Sequence, residues 1–269
     1  MRRNTCLRIT SQECVIFAAF AMEQAMKTVQ VNYIESFGTQ DGPGVRMVIF
    51  TQGCHLKCLY CQNPDTIAIK GGTAMTWEEL YDKAMRQKEY FGKRGGVTVS
   101  GGEPLLHAEA LLPLFQALHH AGISTALDTN GFIWNHHVEA LLAETDFVLL
   151  DIKHIDPHTH KKLTGVQLSP ILEFAQKIRD LGKRIWLRYV LVPGWSDSEQ
   201  DLRNWARFAR TITGVERVEV LPYHTLGVPK YAELGMEYML PDVKAPTKET
   251  KELTRHIFEE EGLQNIVVK

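Results

Sequence analysis

The chain has 269 residues, of which 44% are hydrophobic and 23% charged, and its net charge is −2. That balance is typical of a globular protein and gives no electrostatic case for binding nucleic acid or an anionic membrane surface. A chain of this length buries roughly 70–75% of its unfolded surface, enough for one barrel-sized α/β domain.

In chain order, residues 1–30 read as an N-terminal extension. Met1-Arg2-Arg3 and the mostly apolar residues 14–22 imitate a signal peptide weakly, because Glu13 interrupts the approach and Ala19-Phe20-Ala21 makes a poor cleavage site. The expectation is a dispensable extension, in which Cys6 and Cys14 carry no function, followed by a single domain over residues 31–269. Residues 31–36 form a short strand, residues 38–44 a Gly/Pro turn, and residues 45–51 an apolar, β-branched strand. Thr76 can cap a helix to about residue 91, with Glu79 as its capping-box partner. A strand over 97–100 ends in Gly101-Gly102-Glu103-Pro104, and a helix covers about 108–121. The strand over 123–127 ends at Asp128-Thr129-Asn130-Gly131, and the strand over 147–150 ends at Asp151-Ile152-Lys153, with a helix over 138–143 between them. A helix over 170–181 leads to a strand over 184–191, and Asp197 or Ser198 caps the next helix, to about 211. The strand over 215–221 ends at Pro222-Tyr223-His224, and a last helix over 248–261 precedes the apolar tail 266–268.

Strand and helix alternate through six rounds, which predicts parallel strands joined by crossover helices. Periodicity does not separate a curved open barrel from a flat doubly wound sheet. Cys54, Cys58, Cys61, Glu103, Asp128, Asp151, Lys153, Arg188 and His224 all fall at or just after strand C-termini. That edge carries the active site in such folds.

Three cysteines lie within eight residues, as C-x₃-C-x₂-C at Cys54, Cys58 and Cys61. Zinc fingers bring paired thiolates or two added histidines, and ferredoxin runs bring a fourth cysteine; neither arrangement is present. Three thiolates on a short loop would hold a [4Fe–4S] cluster by three corners and leave one iron open for a ligand. His55 as a fourth ligand would close that position. Five cysteines with three clustered do not make a disulfide framework, which points to a cytoplasmic enzyme. No apolar run reaches the roughly 18 residues of a membrane span.

The cysteine spacing, with Tyr60 before the third cysteine, resembles that of the radical S-adenosylmethionine (SAM) superfamily. The run Asp41-Gly42-Pro43-Gly44-Val45-Arg46, then Phe50, Gly53, the cysteines and Asn63, is similar to the signature of the glycyl-radical-enzyme activases, and the likeness continues to about Pro246. The resemblance implies a partial (β/α)₆ barrel of parallel strands, open on one side. It implies that Tyr60, Gly101, Gly102, Glu103, Asp151, Lys153 and His224 bind SAM. It also implies a monovalent cation, Na⁺ or K⁺, on Asp128, Thr129 and Asp151 with a backbone carbonyl near Leu149. The substrate it implies is a protein, a glycyl-radical enzyme of the pyruvate formate-lyase type. Other activases carry an inserted ferredoxin-like region, and the 39 residues between Cys61 and Gly101 hold no cysteine. Asp41 and Arg188 are the expected contacts to the entering peptide. A flavodoxin- or ferredoxin-type electron donor and a monomeric state complete the expectation. The competing readings are a radical SAM enzyme for a small molecule or nucleoside, and an iron–sulfur sensor; the sensor leaves Gly101-Gly102-Glu103, Asp151, Lys153 and His224 unused.

Overall fold

The computed structural model describes residues 27–269; the expectations for Cys6, Cys14 and the rest of residues 1–26 lie outside them. The described strands form one sheet: β1 (Val29–Gly38), β2 (Arg46–Thr51), β3 (Thr73–Met75), β4 (Gly96–Gly101), β5 (Ser124–Thr129), β6 (Phe147–Asp151), β7 (Arg184–Leu191), β8 (Val215–Pro222) and β9 (Ile266–Val268). The helices are α1 (Trp77–Phe91), α2 (Ala108–His120), α3 (His136–Ala143), α4 (Pro157–Thr164), α5 (Ser169–Asp180), α6 (Glu199–Ala209), α7 (Val228–Glu233) and α8 (Lys248–Glu260).

The sheet order is β3-β1-β2-β4-β5-β6-β7-β8-β9, and its two end strands are not joined, so it is open. The strands β2, β4, β5, β6, β7 and β8 run parallel and are the six expected units; β9 extends them in the same direction. At one edge β1, which lies outside the six expected units, pairs antiparallel with β2 and with β3. The connection between β1 and β2 is too short for a crossover, which needs a dozen residues or more. β1 also starts at Val29, two residues before the expected strand, so Val29 and Gln30 belong to the sheet, paired with Met75 and Ala74.

Alternation along the strands sorts the side chains onto two faces. Met47, Ile49, Val97, Val99, Leu127, Val148, Leu150, Ile185, Leu187, Val218 and Val220 pack with the helices in one large core. Fully burying one such side chain is worth about 1.5–3 kcal/mol. The residues between them face the other way. Near the N-terminal ends, Ala126, Phe147, Leu149 and Trp186 form a separate apolar plug. One or two steps further along each strand, the same face presents Ser100, Asp128, Asp151, Arg188 and Glu219. The strand period therefore gathers polar groups at one end above an apolar floor.

Local signals set the helix ends. The capping box is present at α1: Thr76 Oγ1 accepts from the Glu79 N–H at 3.3 Å, and Glu79 Oε2 accepts from the Thr76 N–H at 2.8 Å. Ser198 caps α6 by accepting from the Asp201 N–H. In α6, Trp205 stacks on Phe258 of α8 with ring centroids 5.2 Å apart and donates Nε1–H to the Ile152 carbonyl at 3.0 Å. That bond ties the outer helices to the backbone just past β6. No described helix is long and apolar enough to cross a membrane.

Candidate active site

A cavity of about 300 Å³ opens at the C-terminal end of the parallel strands. Cys54, Cys58, Cys61, Tyr60, Gly101, Gly102, Asp128, Thr129, Asp151, Lys153, Arg188, His224 and Asp41 all line it. Of the residues expected to act here, Glu103 and Leu149 do not line it.

The cysteine loop is held by its own backbone. Gly53 and Cys54 donate N–H to the carbonyls of Thr66 and Ile67, and Lys57 and Leu59 donate to those of Thr164 and Leu163 at the C-terminal end of α4. The Tyr231 hydroxyl donates to the Cys61 carbonyl at 3.0 Å. Gln62 ties the loop to the segment after β8, donating to the His224 carbonyl at 2.9 Å and accepting from the Gly227 N–H at 2.8 Å. The three thiols are free of disulfides. Burial raises the pKa of all three and pushes that of Cys58 up to about 12. Among the described residues no three acidic, imidazole or thiol groups converge on one point that a single metal ion could fill. A tetrahedral zinc needs such a point, whereas a polynuclear cluster takes its thiolates on separate corners. His55 is exposed and lies beside Phe132, away from the thiols' cavity.

Gly101 and Gly102 are required by backbone packing as well as by the cavity. A Cβ on Gly101, whose φ is +107°, would stand 2.2 Å from the Thr51 nitrogen, and one on Gly102 would stand 2.1 Å from the Gly53 carbonyl oxygen. Real Cβ contacts do not approach so closely, so any side chain here would displace the start of the cysteine loop. Glu103 is fully buried and turns away from the cavity. Its carboxylate accepts from Thr129 Oγ1 at 2.6 Å and from the N–H groups of Asn130 and Leu105 at 2.9 and 3.0 Å. Burial still raises its pKa to about 7. Its carboxylate thus braces the turn after β5.

Asp151 and Lys153 form a buried pair, Nζ to Oδ2 at 2.8 Å. Burial pulls the Lys153 ammonium down, but Asp151 and the nearby Cys58 sulfur outweigh it and leave the pKa raised. Among the described residues six buried side-chain polar atoms have no hydrogen-bond partner, and three of them belong to this cavity: Asp128 Oδ1, Asp151 Oδ1 and the Tyr60 hydroxyl. Such orphans are costly, and their concentration here marks a site built for a polar or charged ligand. Tyr60 is buried among Leu163, Val192, Tyr223 and Leu240, while His224 stands exposed at the rim. A cavity offering three thiols, a lysine–aspartate pair and three orphaned oxygens fits an iron–sulfur cluster with a charged organic cofactor.

Arg188, the other expected peptide contact, is also held within the fold. It is 6% exposed and donates Nε–H to Glu219 at 3.0 Å, NH1 to Asp128 at 2.9 Å and NH2 to the Gln40 carbonyl at 2.6 Å. Three of its five N–H donors are engaged, which leaves one N–H on each terminal nitrogen, and the side chain lines the cavity. Through Gln40 it also fixes the residue next to Asp41. Asp41 is half-buried, and burial followed by Asp128 raises its pKa. Arg46 holds the same turn from below, donating to Thr98 Oγ1 at 2.6 Å, whose hydroxyl donates to the Asp41 carbonyl at 2.6 Å. Residues that the sequence reading did not place at the site are Gln62, Glu219, Tyr231 and, in its side-chain role, Asn130. The one signal for Asn130 was its position in the turn closing β5.

Residues 48–206 match the model of the Radical SAM superfamily. The chain is 44% identical over 232 residues to a pyruvate formate-lyase-activating enzyme of Clostridium pasteurianum, covering 86% of this chain and 97% of that protein. It is 47% identical over 224 residues to the enzyme of that name from Staphylococcus aureus, covering 80% and 89%. Among solved structures, Streptococcus suis SuiB bound to precursor peptide SuiA matches all of this chain and 57% of that one, with a TM-score of 0.65 at 18% identity. A domain of a Bacteroides vulgatus pyruvate-formate lyase-activating enzyme gives a TM-score of 0.55 at 24% identity, over 65% of this chain and 99% of that one. At these identities the two structures speak to the fold alone.

Proposed function

Since the chain belongs to the radical SAM superfamily and, within it, to the pyruvate formate-lyase-activating enzymes, we propose that it installs a radical on a glycine of a partner enzyme of the pyruvate formate-lyase type. The observation that carries this reading is the meeting of Cys54, Cys58 and Cys61 with the Asp151–Lys153 pair in one cavity. When bound, a [4Fe–4S] cluster and SAM supply one-electron cleavage of the sulfur–C5′ bond, giving methionine and a 5′-deoxyadenosyl radical that takes a glycine α-hydrogen.

The protein binds, orients and shields. Cys54, Cys58 and Cys61 are the cluster ligands in this reading. The Gly101-Gly102-Glu103 strand end, Asp151, Lys153, Tyr60 and His224 hold SAM, with Tyr60 closing the apolar side of the cavity and His224 its rim. Asp41 faces the entering peptide, and Arg188 holds Gln40 and so Asp41 while its remaining N–H groups donate to the peptide's carbonyls. The catalytic unit runs from β1 to the C-terminal residue. A flavodoxin- or ferredoxin-type donor, a monomeric state and a cytoplasmic setting belong to the same proposal.

The test uses reconstituted, reduced protein with SAM and a pyruvate formate-lyase whose target glycine carries α-deuterium. Deuterium should appear in 5′-deoxyadenosine while a glycyl radical appears in the electron paramagnetic resonance spectrum. Label arriving only from a small molecule or nucleoside would favour the competing radical SAM reading.

The cation belongs to this proposal too. Asp128 and Asp151 stand on neighbouring strands, each with an orphaned buried Oδ1. The Thr129 hydroxyl donates to Glu103 and accepts from the Gly131 N–H, which leaves one lone pair. Hard oxygens of this kind suit Na⁺ or K⁺, with a carbonyl near Leu149 completing the set. Asp151→Asn should keep its iron but bind SAM at least about tenfold more weakly, the usual scale for damage around a metal site. Its SAM affinity should also stop responding to added K⁺, read by equilibrium binding. Normal affinity with an intact K⁺ response would reduce Asp151 to the partner of Lys153.

A further inference from the structure

We infer that Asn130 is a positioning residue that raises the reduction potential of the cluster by a hydrogen bond to the Cys54 sulfur. The inference rests on the reading of Cys54 as a cluster ligand. Asn130 Nδ2 lies 3.8 Å from Cys54 Sγ, within the range of an N–H···S bond, and the residue is only 7% exposed. Its orientation is set from the other end of the amide. Oδ1 accepts the Phe132 N–H at 2.9 Å, so the NH₂ group is the end that faces the sulfur. The backbone is fixed as well, because the Asn130 N–H donates to Glu103 Oε2 and Gly131 turns the chain at φ +69°. A Cβ at Gly131 would meet Phe174 at 2.8 Å, so this turn has little room to shift. A chain of contacts thus runs from the buried Glu103 carboxylate through the turn after β5 to one sulfur.

The surrounding amides make this donor count. Lys57 and Leu59, which flank Cys58, send their N–H groups to α4, and Cys54 and Cys61 send theirs to the carbonyls of Ile67 and Cys58. Among the described residues Asn130 is the one side chain from outside the loop that donates to a cysteine sulfur. Adding an electron to an iron–sulfur cluster puts more negative charge on its sulfurs, so a donor there stabilises the reduced form and raises the potential. Glu103, which lines no part of the cavity, acquires a reason to be at this strand end: it aims Asn130.

The experiment compares wild type with Asn130→Ser after anaerobic reconstitution. A serine hydroxyl can still accept from the Phe132 N–H, as short polar side chains do in such turns, but does not reach Cys54. Both proteins should carry the same iron. At the applied potential that half-reduces the wild type, the ratio of reduced to oxidised cluster should fall about tenfold in the variant, equal to about 59 mV for a one-electron couple. In resonance Raman spectra the shift of the iron–cysteine stretching bands between H₂O and D₂O should shrink, which a purely structural role would not produce. Equal potentials and equal deuterium shifts, with iron intact, overturn this inference alone. A wild-type protein that holds no cluster overturns it together with the reading it rests on.

Discussion

Cys54→Ala, Cys58→Ala and Cys61→Ala should each lose the cluster and all 5′-deoxyadenosine formation, the largest effect expected of any single substitution in this chain. A cube held by three corners tolerates no further loss, because a second open iron exposes the cluster to dissolution. The loop offers no substitute ligand: His55 lies outside the cavity, and its neighbours Lys57 and Leu59 are tied to α4 through their backbone. The loss should not come from unfolding. Truncating one thiol removes a small group from a cavity already open to a ligand and leaves the loop's backbone bonds in place. Iron and sulfide analysis, visible absorbance and chromatographic assay of 5′-deoxyadenosine read the result, and circular dichroism checks the fold. Cys6→Ala and Cys14→Ala serve as controls and should keep about four iron per chain, the content of one [4Fe–4S] unit. Full iron and turnover in Cys58→Ala would remove the ligand assignment.

The difference between what the sequence exposed and what it hid follows the range of the interactions. The cysteine loop was readable because its chemistry is packed into eight residues. The capping box of α1 and the strands β6, β7 and β8 were readable because their signals lie within a few neighbours. The helices α4 and α7 were missed: they span eight and six residues, carry a proline within their first two positions, and α4 reads Pro-His-Thr-His-Lys-Lys-Leu-Thr with no apolar period. The direction of β1 was missed although the short turn after it excludes a parallel crossover. Glu103 was assigned to the cofactor because its motif sits at a strand end beside the cavity. What the sequence did not show is that its carboxylate finds three donors, two of them at the end of the next strand, a pairing that depends on register. Arg188 shows the same limit more strongly, since its partners Gln40, Asp128 and Glu219 lie 148, 60 and 31 residues away and meet it only across the folded sheet.

Arg188→Ala should therefore act on stability before it acts on substrate. The substitution leaves Glu219, 1% exposed, and Asp128, 12% exposed, without their shared guanidinium. Lys269 and Arg217 lie 3.3 and 3.6 Å from Glu219, but both side chains are partly exposed and they reach only one of the two carboxylates. Removing one partner from a buried, hydrogen-bonded ion pair typically costs about 3–5 kcal/mol, because the remaining charge stays desolvated. For a chain of this size that corresponds to a fall in melting temperature on the order of 10 °C, measured on the cluster-free protein so that metal binding does not contribute. The loss should be largely recovered in the double variant Arg188→Met with Glu219→Gln. There the Glu219 charge is gone with its partner, and replacing buried ion pairs by groups of similar volume is often close to neutral. Asp128 keeps the Ser100 hydroxyl at 2.7 Å, which tempers its own share of the cost. Peptide-dependent turnover should fall as well, since the Gln40–Asp41 turn loses the donor that fixes it. The two effects separate in the double variant: stability returns, but the turn remains unheld and turnover stays low. If Arg188→Ala is as stable as the wild type and loses only peptide-dependent turnover, the guanidinium is a direct substrate contact and the clamp described by these distances does not operate.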